Sequence, residues 1–132
     1  MNPITQEQID ALLPFLDRFE AAGFSPGEMI VKEGQFPFFD YDESAIEFEK
    51  ALYDQGWIAT DFDWPEWQES AEEYVNSPEK VESADAETIR KLLMTHCRKD
   101  RFCEGHMAAM FENGHIVALL RRLKKIRSNE RC

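Results

Sequence analysis

Residues 86–97 read AETIRKLLMTHC, and the spacing of their apolar side chains is typical of an amphipathic helix. Ile89, Leu92, Leu93, His96 and Cys97 recur at intervals of three and four residues, which places them on one face. Because such a face must be covered by other elements, the stretch predicts a helix packed within a larger helical domain.

The same period continues on both sides of this stretch. Further helices are predicted over residues 5–22, 42–55, 63–75, 102–113 and 115–127, separated by glycine, proline or polar breaks. Pro14 is expected to kink the first of them. The expected N-terminal caps are Thr5, Asp42 or Ser44, Asp63, and Ser83 or Asp85. The fold class that follows is mainly α, a compact bundle of five or six short helices.

Residues 24–41 have a different pattern. Turn residues at 25–27 precede the short β-compatible run 29–31, and an aromatic run at 36–41 is interrupted by Pro37. The pattern fits either one minor β-hairpin near residues 28–41 or an ordered loop, because Pro37 restricts the second run to an edge strand or an extended segment, and we expect the phenylalanine side chains to pack inward.

The length and composition favour one folded domain. The chain has 132 residues, which we assign to a single helical domain at 1–127 and a frayed tail at 128–132. No apolar run approaches the roughly 18 residues of a membrane helix, and the N-terminus does not resemble a secretion signal. Three cysteines do not form a disulfide framework, so a reducing cytoplasm is the expected location, without membrane insertion.

Charge is distributed unevenly along the chain, whose net charge is −11. Residues 1–88 contain 22 acidic and 4 basic side chains, whereas residues 89–132 contain 4 acidic and 11 basic ones. We expect the basic last third to contact the acidic remainder. A nucleic-acid partner is disfavoured because the field of the whole chain repels phosphate.

The cysteine and histidine side chains concentrate between residues 96 and 115. Cys103 and His106 have a spacing that allows a shared metal ion or an activated thiol. The interval between Cys97 and Cys103 is too long for a zinc knuckle, and no third group orients a nucleophile. We therefore predict core packing for the thiols, with Cys103, Met107, Met110 and Phe111 facing inward, and we predict no metal, no cofactor and no catalytic residue.

A second group of candidate residues combines carboxylates with tryptophans. Asp61 and Asp63 lie among Trp57, Trp64 and Trp67, an arrangement that suits acid–base work or a ligand site. The simpler interpretation makes Asp63 a helix cap and the tryptophans anchors of the core.

Two surfaces are candidates for partner binding. The aromatic segment 36–41, together with the tryptophans, suits an exposed patch for a protein partner or for self-association. The basic side chains of residues 121–127 suit an acidic partner or phosphate, or a solvated face that balances the remaining charge.

The chain resembles a family of small bacterial proteins classed as a domain of unknown function. The resemblance is carried by FDW at 62–64, RFCEGH at 101–106 and GHIVALLRRL at 114–123, and it extends from about Ser44 to Ile126. It implies a bacterial cytoplasmic setting and no particular activity. It directs attention to Arg101, Glu104, Gly105 and Arg122, of which Arg101 and Glu104 are spaced for an ion pair at the start of the fifth helix.

Three functions remain open on these grounds. The first is a non-enzymatic interaction module, with a homodimer as one version. The second is a small enzyme or ligand-binding protein that uses residues 57–67 with Arg101 and Glu104, to which we add His106. The third is a nucleic-acid-associated factor that acts through the last helix and Arg122.

Overall fold

The computed structural model of the chain describes residues 3–130, without the side chain of Glu130. Within this range the chain forms six α-helices, one 3₁₀ helix and one two-stranded antiparallel hairpin, which confirms the mainly α bundle with a minor hairpin. In chain order the elements are α1 (Gln6–Glu20), β1 (Gly27–Ile30), β2 (Phe38–Tyr41), α2 (Glu43–Asp54), α3 (Trp64–Asn76), the 3₁₀ helix (Pro78–Ser83), α4 (Ala86–Asp100), α5 (His106–Glu112) and α6 (His115–Glu130).

The predicted caps begin four of the helices. Thr5 and Gln8 form a reciprocal capping box at the start of α1. The carboxylates of Asp42, Asp63 and Asp85 accept backbone N–H groups in the first turns of α2, α3 and α4. Each cap satisfies a helix N–H group that has no carbonyl partner within its own helix.

The core is built around α4, on which eight residues are buried, at positions 89, 90 and 92–97. α3, α5 and α6 pack against α4, and α1 packs against α2 and α6. A cluster of edge-to-face rings, Phe15, Phe19, Phe48 and Phe111, joins α1, α2 and α5. The helical periodicity of the sequence therefore identifies most of the interior positions on α1, α2, α4 and α6.

Several element ends differ from the predicted ones. α4 continues to Asp100 because the polar residues 98–100 lie half-buried along its last turn instead of interrupting it. α1 ends at Glu20 and not at residue 22, and it includes Pro14. α6 extends to Glu130, so residues 128–130 of the expected tail are helical, while residues 131–132 lie outside the described range.

The hairpin pairs Gly27 with Tyr41 and Ile30 with Phe38. Gly27 has φ +136°, and a Cβ atom there would lie 2.1 Å from the carbonyl oxygen of Asp40. Only glycine fits at this close approach of the two strands.

The basic last helix contacts acidic residues of the first helix, as its charge predicts. The guanidinium of Arg121 bonds to Glu20, and that of Arg127 donates to both carboxylate oxygens of Asp10, at 2.9 and 3.2 Å. None of the helices described between residues 3 and 130 is long and apolar enough to cross a bilayer.

Candidate functional site

The hairpin exposes a group of apolar side chains that we call the hairpin surface: Met29, Val31, Phe36 and Phe38. Phe36 is 94% exposed and Val31 is 73% exposed. The expectation that the phenylalanines of this segment pack inward is therefore wrong for Phe36 and Phe38, although Phe39 is partly buried. Large exposed apolar patches on soluble proteins are typical of interaction sites.

The hairpin is attached to the bundle through its second strand. The backbone N–H of Phe39 donates to the carboxylate of Glu104 at 2.6 Å. The Tyr41 hydroxyl donates to Asp100 at 2.6 Å, and the same carboxylate oxygen accepts the N–H of Met107 in the first turn of α5. Burial and the nearby Asp100 carboxylate raise the pKa of Tyr41, so the phenol stays protonated and continues to donate.

The three histidines of the chain meet in the bundle interior. His96 lies on α4, while His106 and His115 are the first residues of α5 and α6. Nδ1 of His96 is 3.0 Å from Nε2 of His106, and the rings of His96 and His115 pack edge to face with centroids 4.9 Å apart. Each of the two helix starts follows a glycine with φ +81°, which turns the chain sharply before the imidazole.

The surroundings of these imidazoles favour their neutral form. Burial lowers the pKa of all three rings, and the neighbouring imidazoles add to this effect for His96 and His115. The pKa of His115 falls to about 4. The Nε2 atoms of His96 and His115 are buried and have no hydrogen-bond partner among the described residues. Each such nitrogen retains hydrogen-bonding capacity that the protein does not use.

A cleft opens beside this cluster, between α3, α4 and α5, and we call it the histidine cleft. Its volume is about 430 Å³. His96, His106, Lys99 and Thr95 line one side, and Gln68 and Glu72 of α3 line the other. The cleft therefore offers one cation, one carboxylate and neutral imidazoles to a molecule that enters it.

The candidate residues of the segment 57–67 are buried in the core, stack on other rings, cap a helix or are exposed. Trp57 is fully buried, and its indole N–H donates to the carbonyl of Gln8 at 3.2 Å. Asp63 caps α3, and Asp61 is exposed. Trp64 stacks on Phe102, and Trp67 stacks on Tyr74. None of these five candidates lines the histidine cleft.

The motif residues Arg101 and Glu104 contact different elements instead of each other. Arg101 donates to the Tyr53 hydroxyl at 2.7 Å and lies over the Tyr53 ring, whereas Glu104 binds the hairpin. The turn at 101–105 separates the two side chains, so the expected ion pair is not formed. Arg122 of α6 donates to the carbonyl of Ala84 at 2.7 Å, which fixes α6 beside the 3₁₀ helix.

The two described cysteines have opposite environments. Cys97 is buried, as predicted, and burial raises the pKa of its thiol. Cys103 is exposed in the turn before α5, so the expectation that it faces the core is wrong. Within residues 3–130, no three His, Cys, Asp or Glu side chains are arranged to hold a metal ion.

Of the predicted site residues, His106 alone lines the histidine cleft. Sequence reasoning did not single out its partners His96 and His115 as site residues. A signal was present, since both His106 and His115 follow a glycine at a predicted helix start.

The model of a family of unknown function (DUF6508) matches residues 4–129. No curated protein and no solved structure matches the chain significantly.

Proposed function

The chain belongs to the family of unknown function DUF6508, and from its exposed side chains we propose that it is a protein-interaction module that forms a homodimer through the hairpin surface. The observation that supports this proposal is the exposure of four apolar side chains on one short hairpin, led by Phe36 at 94%. Burial of such side chains is favourable by about 25 cal/mol per Å².

The position of the hairpin supports this role. Glu104 and Asp100 hold β2 on the bundle, so the hairpin presents a fixed contact surface to a partner. A fixed surface loses less conformational entropy on binding than a mobile segment does. We place this module in the bacterial cytoplasm, where an exposed free thiol such as Cys103 stays reduced.

The proposal is tested by replacing one phenylalanine on the hairpin surface and one outside it. In sedimentation velocity, we expect the wild type to show a concentration-dependent monomer–dimer equilibrium. Phe36→Ser removes two apolar rings from the dimer, one from each protomer, and should weaken association by about tenfold or more. Phe102→Ser is the matched control: Phe102 is 76% exposed but stacks on Trp64, and its loss should leave association unchanged.

Two results would contradict the homodimer. One is a wild-type protein that stays monomeric at high micromolar concentration. The other is equal weakening by Phe36→Ser and Phe102→Ser, because this would remove the link to the hairpin surface.

The histidine cleft favours a second candidate function, the binding of a small polar molecule. The sequence suggested a ligand site at residues 57–67. We place the candidate ligand site in the histidine cleft instead, because the unpartnered Nε2 atom of His96 lies on a residue that lines the cleft. The depressed pKa values of His96 and His106 argue for hydrogen bonding over proton transfer near pH 7.

A polar fragment library titrated against ¹⁵N-labelled protein tests this second candidate. We expect binding fragments to shift the ring nitrogen signals of His96 and His106. The indole N–H signal of Trp57, which does not line the cleft, serves as the internal reference. A library that shifts none of these signals at millimolar concentration would exclude the cleft as a binding site for small polar molecules.

We assign no nucleic-acid role to α6. Two of its arginines, Arg121 and Arg127, already bond to carboxylates of α1, and Arg122 bonds to a backbone carbonyl. The cations left for phosphate are therefore few.

A further inference from the structure

We propose that the two copies join by antiparallel pairing of their β1 strands, with Ile30 at the twofold axis. This inference rests on the proposed homodimer and adds to it the strand edge, the register and the residues that select the partner. Three observations support it. They are the hydrogen-bonding pattern of the hairpin, the difference in how its two edges are covered, and the charges beside β1.

The hydrogen-bonding pattern of the hairpin determines which backbone groups face outward. Residues opposite each other in an antiparallel pair alternate between bonded and non-bonded positions. The N–H of Asp42 donates to the carbonyl of Pro26 at 2.7 Å, so position 26 is a bonded position. The backbone groups of Glu28 and Ile30 therefore point toward β2, and those of Gly27 and Met29 point to the outer edge of β1. Continuing the alternation one residue past the end of β1 assigns Val31 to the same outer edge.

Independent contacts agree with this alternation. The N–H of Phe39, which is opposite Met29 in a non-bonded pair, points outward and donates to Glu104. Glu104 thus covers the outer edge of β2. On β1, the Ser25 hydroxyl bonds to the backbone of Gly27. The outward groups of Met29 and Val31 have no partner among the described residues.

A second copy of β1 satisfies these groups in one register. When Ile30 lies opposite the partner's Ile30, Met29 lies opposite the partner's Val31, and both are outward-facing positions. The two copies then exchange backbone hydrogen bonds at both Met29–Val31 pairs, as a bonded antiparallel position requires. Unpaired edge groups of this kind are a template for another strand.

The same register pairs opposite charges. Glu28 lies opposite the partner's Lys32, and the twofold axis repeats the pair. Both side chains are exposed, and no ion pair between described residues includes either of them. A shift by two residues in either direction breaks the Glu28–Lys32 match, so the charges select the register.

The outer face gains an apolar stripe in this arrangement. Ile30 and Phe38 are cross-strand neighbours, and the axis brings Ile30 beside the partner's Ile30. The side chains of Phe38 and Ile30, together with the partner's Ile30 and the partner's Phe38, then form one apolar row across a four-stranded sheet. Three or more strands with an apolar face are far more stable than an isolated hairpin.

Cysteine cross-linking tests the position of the axis. The background carries Cys103→Ser and Cys132→Ser, which leaves the buried Cys97. We expect Ile30→Cys to give a covalent dimer under mild oxidation, because Cα atoms in a non-bonded pair lie about 4.5 Å apart, within the range for a disulfide. Val31→Cys is the matched control. It should give little dimer, because the partner's Val31 lies two residues farther along the strand.

Charge reversal tests the register without new covalent chemistry. Glu28→Lys and Lys32→Glu each place like charges opposite each other twice per dimer, and each should weaken association by about tenfold. The double variant Glu28→Lys with Lys32→Glu restores opposite charges and should recover the wild-type affinity to within about twofold. Circular dichroism verifies that each variant keeps its helical content.

The outcomes separate this inference from the proposed homodimer. A wild-type dimer that does not cross-link through Ile30→Cys and shows no charge rescue overturns the β1 pairing, while the homodimer stands. A wild-type monomer overturns both. Equal cross-linking at positions 30 and 31 also overturns the pairing, because it indicates random collision.

Discussion

Trp57→Ala is expected to lower the free energy of unfolding by about 3–5 kcal/mol, as for other large aromatic residues removed from a core. The Trp57 side chain is fully buried, and its indole N–H holds the loop after α2 against α1 through the carbonyl of Gln8. The substitution leaves a cavity and removes this hydrogen bond. Urea unfolding followed by circular dichroism measures the loss.

Two further variants serve as controls for Trp57→Ala. Trp57→Phe keeps most of the apolar volume and should lose less stability than Trp57→Ala. Trp64→Ala removes a partly exposed ring that stacks on Phe102, and we expect a loss of about 1 kcal/mol. Equal losses at positions 57 and 64 would contradict the assignment of Trp57 as the anchor of the core.

We also expect the protein to lose stability as the pH falls from about 6.5 toward 4. The pKa of His115 is lowered to about 4 in the folded chain from an ordinary value of 6.5. The unfolded chain therefore binds more protons in this interval, and the stability that is complete above pH 6.5 is lost on acidification. For His115 alone the loss is about 3 kcal/mol, at 1.36 kcal/mol per pKa unit.

The neighbouring groups modify this pH dependence. His96 and His106 act in the same direction, and Lys99 opposes the protonation of both. Asp100 favours the protonated form of His106, and burial raises the pKa of Glu49, so these two carboxylates oppose part of the loss.

Chemical denaturation at a series of pH values measures the slope, and His115→Gln should flatten it. The control is Glu49→Gln, which should make the slope steeper. A free energy of unfolding that stays constant between pH 6.5 and 4 would contradict the buried, neutral state of the histidines.

The elements that could be predicted from the sequence are those determined by local chemistry. The apolar spacing along α4 and the capping side chains at Thr5, Asp42, Asp63 and Asp85 act within one or two turns of a helix. A periodicity argument needs no knowledge of distant residues, which explains why it located these helices. The C-terminal ends of α4 and α6 are harder to predict, because their polar last turns continue the helix without an apolar signal.

The candidate site depended on contacts between distant residues. His96 meets His115 across nineteen positions, and Glu104 meets Phe39 across 65. No local pattern specifies such contacts. The spacing of Arg101 and Glu104 suggested an ion pair, but the turn between α4 and α5 directs the two side chains toward different neighbours.

The exposure of Phe36 has a similar cause. An aromatic run usually indicates burial, and Phe39 and Tyr41 do pack against the bundle. Phe36 follows the turn at 32–35, beyond the part of the hairpin that α5 and the preceding turn contact. The number of elements available to cover a hairpin is a property of the whole fold, and a single sequence does not display it.

The pairing of α1 with α6 has a consequence for biosynthesis. Arg127 bonds to Asp10 across 117 positions, so the part of α1 that α6 covers stays uncovered until α6 has been synthesised, whereas α2 covers another part of α1 much earlier. Until then the nascent chain exposes this part of α1, which a chaperone can hold. The bundle should therefore close only after α6 has left the ribosome.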